Sequence, residues 1–291
     1  MPTRLPDLII IGAMKCATST LHEQLARRRA FFMSEPKEPN FFNDEALYQG
    51  HMDWYAGLFS AAATGQICGE SSTHYTKLPT YQNTARRIRQ TVPHAKLVYV
   101  MRHPIDRLVS HFIHAWTEGE SPRDISDAVI ENEEYVAYSC YARQLEPFLQ
   151  EFDKAQILPV FFEHLVSHQL TELERIARFA GDTSDEPFQW HEEVQQTNVS
   201  SDRMRKSAIR DKVLSNPLGR RIKDAIPESV RSKIKSHWQM QKRPTLEGEA
   251  QTMVREVLTA DLNKLSGLLG LKLTLDNFKA VATATQPTWA M

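Results

Sequence analysis

One short segment constrains this chain more than any other. Leu8-Ile9-Ile10-Ile11 is a continuous apolar, β-branched run that stops at Gly12. Such a run suits a strand buried on both faces, as in a parallel sheet. Met14, Lys15, Cys16, Ala17, Thr18, Ser19 and Thr20 follow, and a helical stretch then starts near Leu21 and runs to about Arg28. At a strand-to-helix junction the open backbone N–H groups and the positive end of the helix dipole converge on one point. Small residues there let an anion approach the backbone, and Lys15 adds a full positive charge. The segment is therefore read as an anion cradle, with a plain connection and a solvent-facing lysine as the alternative. It is not a Walker A loop, because Lys15 comes early and neither follows a glycine nor precedes a hydroxyl residue.

A second strand is expected at Lys96–Met101, with Arg102 at its end and Pro104 in the first turn of the next helix. Ile105, Leu108, Val109, Phe112, Ile113 and Trp116 then lie along one face of that helix. A third strand is expected at 157–162, placed at an edge or bulge by Pro159. A helix at about Thr171–Ala180 is closed by Gly181, and a short strand is expected near Gln66–Gly69. Val254, Val257, Leu258, Leu262, Leu265, Leu268 and Leu269 mark a late amphipathic helix. Alternation of strands and helices predicts an α/β fold, with a mainly parallel central sheet flanked by helices.

The composition, 41% hydrophobic and 24% charged over 291 residues, excludes wholesale disorder and fibrous classes. The expectation is a single domain spanning 1–291. No apolar run approaches the ~20 residues of a membrane helix. Cys16, Cys68 and Cys140 are scattered, without CxxC or zinc spacing, so reduced thiols, no metal and a cytoplasmic location are expected. Cys68 and Cys140 read as small buried hydrophobes. The formal charge of −1 conceals a basic stretch: thirteen basic and three acidic residues lie between Arg203 and Arg243. Residues 197–244 are expected to form a helical excursion or lid, most of it a solvated face, with Arg205 a candidate anion contact. No nucleic-acid-reading pattern accompanies the charge.

Arg102 at a strand's carboxyl end and Ser110 on the following helix can both face the crevice where α/β sheets bind ligands. The alternative is an ion-paired surface Arg and a solvent-facing Ser. Pro36 and Pro39 hold Lys37 and Glu38 on an extended path. From the residues alone, Glu38 is equally a general base or a surface carboxylate paired with Lys37. His74 is a rival base. His22, His111 and His114 read as helix-surface histidines, and Tyr141 reads as a core aromatic or a site-lining one. Phe41, Phe42, Trp54 and Tyr55 allow a partly apolar pocket but fit a core equally well.

Taken together these segments resemble the sulfotransferases that use 3′-phosphoadenosine 5′-phosphosulfate (PAPS), of the glycan and bacterial type. GAMKCATSTL is similar to that family's phosphosulfate loop, close to GxxKxGT[ST]xL. Ala17 stands where Gly is common, and alanine is tolerated there if its backbone stays in an ordinary region. RHP with Ser110 eight residues on resembles the 3′-phosphate motif, His103 replacing Asn or Asp. EPKEPNFFN resembles KExHFFD, with Asn40 and Asn43 in place of His and Asp. GESSTHY resembles GEK[ST]PxY, with Ser71 in place of Lys. The family landmarks around Tyr138–Leu145 and Gln156–Leu165 are also matched, so the resemblance covers about 8–181 and a weaker tail.

The resemblance implies a P-loop-like fold and PAPS as donor. The donor contacts would be Lys15, Cys16, Ala17, Thr18, Ser19, Thr20, Arg102, Ser110, Tyr141 and one residue of the basic segment. Lys15 and Glu38 or His74 would carry catalysis. The acceptor would be a small molecule, lipid or sugar, with its identity and the oligomeric state left open. The rival reading is a P-loop-like kinase or nucleotide hydrolase, with Mg²⁺ held by Glu163.

Overall fold

The computed structural model describes residues 4–122, 124–194, 240 and 242–290. The elements in chain order are β1 (Leu8–Gly12), α1 (Thr18–Ala26), β2 (Phe31–Met33), α2 (Glu45–Gly50), α3 (Met52–Gly57), β3 (Ile67–Ser71) and α4 (Thr84–Thr91). Then come β4 (Lys96–Met101), α5 (Pro104–Glu118), α6 (Ile125–Glu131), α7 (Glu134–Ala137), α8 (Tyr141–Glu151) and β5 (Ile157–Phe161). The chain continues with α9 (Phe162–Ser167), α10 (Gln169–Ala180), α11 (Gly248–Leu269) and α12 (Phe278–Ala284). The 3-10 turn Thr73–Thr76 joins β3 to the region before α4. The basic segment expected at 197–244, Arg205 included, lies outside the described residues except for Met240 and the stretch from Lys242.

The five strands form one sheet in the order β2-β3-β1-β4-β5, and every pairing is parallel. β1 is central, and all five of its residues are buried. That burial is what its unbroken apolar run demands. The chain leaves β1 toward β3 and β2 and leaves β4 toward β5. The crevice between the carboxyl ends of β1 and β4 is therefore the topological switch point, where open α/β sheets bind ligands.

β5 lies at an edge, as Pro159 requires. The Trp289 indole donates to Ile157 O at 2.7 Å and Arg175 donates to Pro159 O at 2.8 Å, so exposed edge carbonyls are satisfied. The stripe of α5 is buried as expected, from Leu108 to Trp116. Pro104 opens that helix and Gly119, at φ 86°, closes it. β2 has no legible signal, since three residues are too few to show a period. Phe41, Phe42 and Tyr55 belong to the core, Phe41 stacking on Tyr55 at 4.2 Å, whereas Trp54 is exposed.

Candidate active site

The loop after β1 is shaped by its packing beneath. Gly12 has φ 146°, and a Cβ there would collide with Thr76 Oγ1. That hydroxyl donates to Ile11 O at 2.8 Å, tying the turn Thr73–Thr76 to the start of the loop. Lys15 and Ala17 both have positive φ, 70° and 61°. The condition for tolerating alanine at 17 is therefore not met: the position is left-handed, which explains why glycine suits it.

Ala17 is the N-cap of α1 and supplies no side-chain cap. The first intrahelical bond runs from Leu21 N–H to Ala17 O, so the N–H groups of Thr18, Ser19 and Thr20 have no partner within the helix. These three donors, with the dipole behind them, form the cradle. Cys16 stands apart from it. Its side chain is fully buried and its N–H is spent on Ala13 O at 3.2 Å. Burial pushes its thiol up to about 12, so it is inert packing.

Arg102 leaves β4 beside this loop. Its Nη1 donates to Lys15 O at 3.4 Å, and its guanidinium lies 4.6 Å over the Phe162 ring. Its Nε is buried with no hydrogen-bond partner. A buried charged donor without a partner is costly unless a ligand supplies one. Tyr141 holds Arg102 from below: its hydroxyl accepts from Arg102 N–H at 3.2 Å and donates to Arg102 O at 2.6 Å. Tyr141 is fully buried, so it is a strut that acts through Arg102. Asp261 of α11 accepts from Ala142 N–H and Arg143 N–H, both at 3.0 Å, and thereby fixes the start of α8. Ser110 lies half-buried in the second turn of α5.

Glu163, the carboxylate a Mg²⁺-dependent reading would use, accepts from His103 N–H at 2.9 Å. Burial raises its carboxyl above the usual range. Among the described residues no group of three or more His, Cys, Asp or Glu is placed to hold a metal ion.

On the other side of the loop, Glu38 sits in a cluster. Lys37 Nζ lies 2.6 Å from Oε1, Thr73 Oγ1 donates to Oε2 at 3.2 Å, and His74 Nδ1 lies 3.5 Å from Oε2. Burial alone would raise the Glu38 carboxyl, but His74 and Lys37 outweigh it and hold it at about 2. Glu38 is thus ionised at any ordinary pH. The two candidate bases are neighbours rather than separate alternatives.

Glu70 and Ser72, on this side, were not singled out from the sequence. Glu70 is fully buried and accepts from Tyr55 at 2.6 Å, Tyr75 at 2.9 Å and Ser72 at 2.8 Å. Burial wins over those three donors and raises its carboxyl to about 7. Ser72 Oγ in turn accepts from Asn40 N–H at 3.2 Å, so Glu70 braces the loop that carries Glu38. His22 is not on the surface. It is 5% exposed, with Nδ1 2.9 Å from Ser71 Oγ, and burial lowers it to about 4. His111 is half-buried against Tyr135 and Tyr138, and burial with the nearby Arg107 lowers it to about 2. His114 is exposed, as read. Arg107 is fully buried and donates to Ser139 Oγ at 2.7 Å and Tyr135 O at 2.8 Å.

The open N–H groups at the start of α1 and the Arg102 guanidinium after β4 lie at the carboxyl ends of β1 and β4, and Glu38 lies on the loop after β2. The residues fit a donor bearing two separated phosphate-like groups. A profile described as "Sulfotransferase domain" matches residues 5–265. Mouse heparan sulfate glucosamine 3-O-sulfotransferase 3B1 is 32% identical over 187 residues, 61% of this chain and 46% of the relative. Human bifunctional heparan sulfate N-deacetylase/N-sulfotransferase 2 is 26% identical over 203 residues, 62% of this chain and 22% of the relative. The chain thus spans about half or less of the length of these curated relatives. The fold matches the crystal structure of a sulfotransferase from Alicyclobacillus acidocaldarius with a TM-score of 0.65 at 20% identity, covering 93% of this chain and 98% of that one. Among the described residues no helix is long and apolar enough to cross a membrane.

Proposed function

We propose, from the premise that the chain belongs to the PAPS-dependent sulfotransferase family, that it transfers a sulfuryl group from PAPS to a hydroxyl or amine of its acceptor. The observation that carries this reading is Arg102. It is a half-buried fork whose buried Nε has no partner, touching the loop after β1 at the switch point. A terminal phosphate is the bidentate partner such a fork suits.

PAPS supplies the group: sulfur gains a bond to the acceptor oxygen or nitrogen, and the 5′-phosphate oxygen keeps the electron pair of the bond it loses. The N–H groups of Thr18, Ser19 and Thr20, with Lys15, stabilise the charge that grows on that phosphate. They are preorganised, so no reorganisation is needed as the charge develops. Arg102 and Ser110 bind the 3′-phosphate and fix the donor's register. Glu38 takes the acceptor proton. At about 2 its carboxyl is a weak base, so the transfer comes late, when the acceptor is already bonding to sulfur. His74 and Thr73 hold the carboxylate in place. The relatives' names specify heparan sulfate, with 3-O-sulfation of glucosamine in one and N-sulfation in the other. With Asn40, Asn43 and Ser71 in place of His, Asp and Lys, the acceptor here is a sugar, lipid or small molecule less charged than a sulfated glycan.

Thermal stabilisation by 3′,5′-ADP, compared with ATP and Mg²⁺, tests the donor. A ligand at a hundred times its Kd adds roughly 2.7 kcal/mol. Stabilisation by 3′,5′-ADP without Mg²⁺ is expected. Stabilisation by ATP–Mg²⁺ alone overturns the reading. Lys15→Ala is expected to slow sulfuryl transfer on the order of 10²-fold.

A further inference from the structure

Lys77 follows the turn Thr73–Thr76 and is only 8% exposed. Taking an ammonium out of water costs several kcal/mol unless an opposite charge compensates it. Among the described residues no carboxylate lies within ion-pair distance of Lys77 Nζ. Its contact is a ring, the Tyr138 centroid 5.7 Å away. A buried lysine in that condition is built for an anion that arrives later.

Its backbone position says which anion. Thr76 is bonded to Ile11 O and packed on Gly12, so Lys77 leaves the chain directly beside the first residue of the donor loop. The charged and titratable groups facing it are Glu38 from the loop after β2, Arg107, His111 and His114 from α5, and Glu134 from α7. The ammonium of Lys15 bears on the same two histidines. Lys77 thus shares its electrostatic neighbours with both the candidate base, Glu38, and Lys15 of the loop. Position 71, lysine in the segment this chain resembles, is here a neutral serine whose Oγ is engaged by His22.

We infer that Lys77 is a substrate-contacting cation of this site: its ammonium binds the sulfuryl oxygens of the donor, supplying from position 77 the charge that position 71 lacks. This rests on the sulfotransferase reading above. Lys77 forms no covalent bond and takes no proton, which still passes from the acceptor to Glu38.

Isothermal titration of the whole chain with PAPS and with 3′,5′-ADP separates the two ideas, because only PAPS carries the sulfuryl group. Lys77→Met is expected to bind 3′,5′-ADP within about twofold of the native chain and PAPS at least about tenfold more weakly, the scale of one charged hydrogen bond. Lys77→Arg is expected to recover most of the loss. Burial lowers the Lys77 ammonium to about 8, so the native preference for PAPS should decline as pH rises through that value, and Lys77→Met should show no such decline. An unchanged PAPS preference in Lys77→Met overturns this inference and leaves the donor reading standing. A native chain that binds neither nucleotide overturns both.

Discussion

Replacing Arg102 by alanine tests the proposed 3′-phosphate contact. The substitution removes the fork but leaves the backbone, which Tyr141 holds through two hydrogen bonds independent of the side chain. The internal losses are the Phe162 contact at 4.6 Å and the 3.4 Å bond to Lys15 O. An arginine-to-ring contact contributes about 0.5–2 kcal/mol, so the fold should survive. A fork on a phosphate makes two charge-assisted bonds of about 1.5–3 kcal/mol each. Allowing for imperfect additivity, the loss is about 3–4 kcal/mol, or roughly 10²- to 10³-fold in Kd. Titration calorimetry at fixed ionic strength should show that loss for 3′,5′-ADP and a change below about threefold for 5′-AMP, which lacks the 3′-phosphate. Arg102→Lys should fall between, keeping the charge and losing the fork. Equal loss of both nucleotides would place Arg102 elsewhere on the donor, and no loss of either would refute the assignment.

Two further outcomes follow from the strain and burial around the site. Ala17→Gly relieves a left-handed alanine at φ 61°, about 1–2 kcal/mol, against an entropic cost of about 0.5–1 kcal/mol. A rise of about 1–4 °C in Tm is expected in scanning calorimetry, and a fall would show that the Ala17 methyl packs usefully. Glu70, at about 7 when folded and near 4.5 when unfolded, holds its proton in the folded chain over that interval. Its stabilising contribution is complete below about pH 4.5 and lost as pH rises to about 7, roughly 3 kcal/mol in all. Urea unfolding at pH 5 and 7.5 should show that slope in the native chain and its absence in Glu70→Gln, and parallel slopes would contradict it.

The strand–loop–helix motif was legible in the residues because its signals are local. An apolar run of four, a terminal glycine and a cluster of small residues need no knowledge of distant contacts. The same holds for the α5 stripe, for the edge or bulge that Pro159 calls for, and for the mainly parallel sheet that alternation implies. These depend on backbone sterics and on periodicity, which neighbours in sequence decide. The candidate donor residues Lys15, Thr18, Ser19, Thr20 and Arg102 fall in such segments, and they were named from them.

Tertiary structure decided what each of those residues faces. His22 reads as a surface residue by helical position, yet β3 delivers Ser71 against it. Cys16 lies in the donor loop by sequence and in the core by packing. Glu38 and His74, 36 positions apart, become one cluster because the loop after β2 meets the turn after β3. Burial of Glu70 and Lys77 has no sequence signature, since both are charged residues in segments that read as polar. Their altered proton affinities come from desolvation and from neighbours brought in by the parallel sheet. Local chemistry is written along the chain, whereas dielectric and long-range charge arise only once distant segments share a volume.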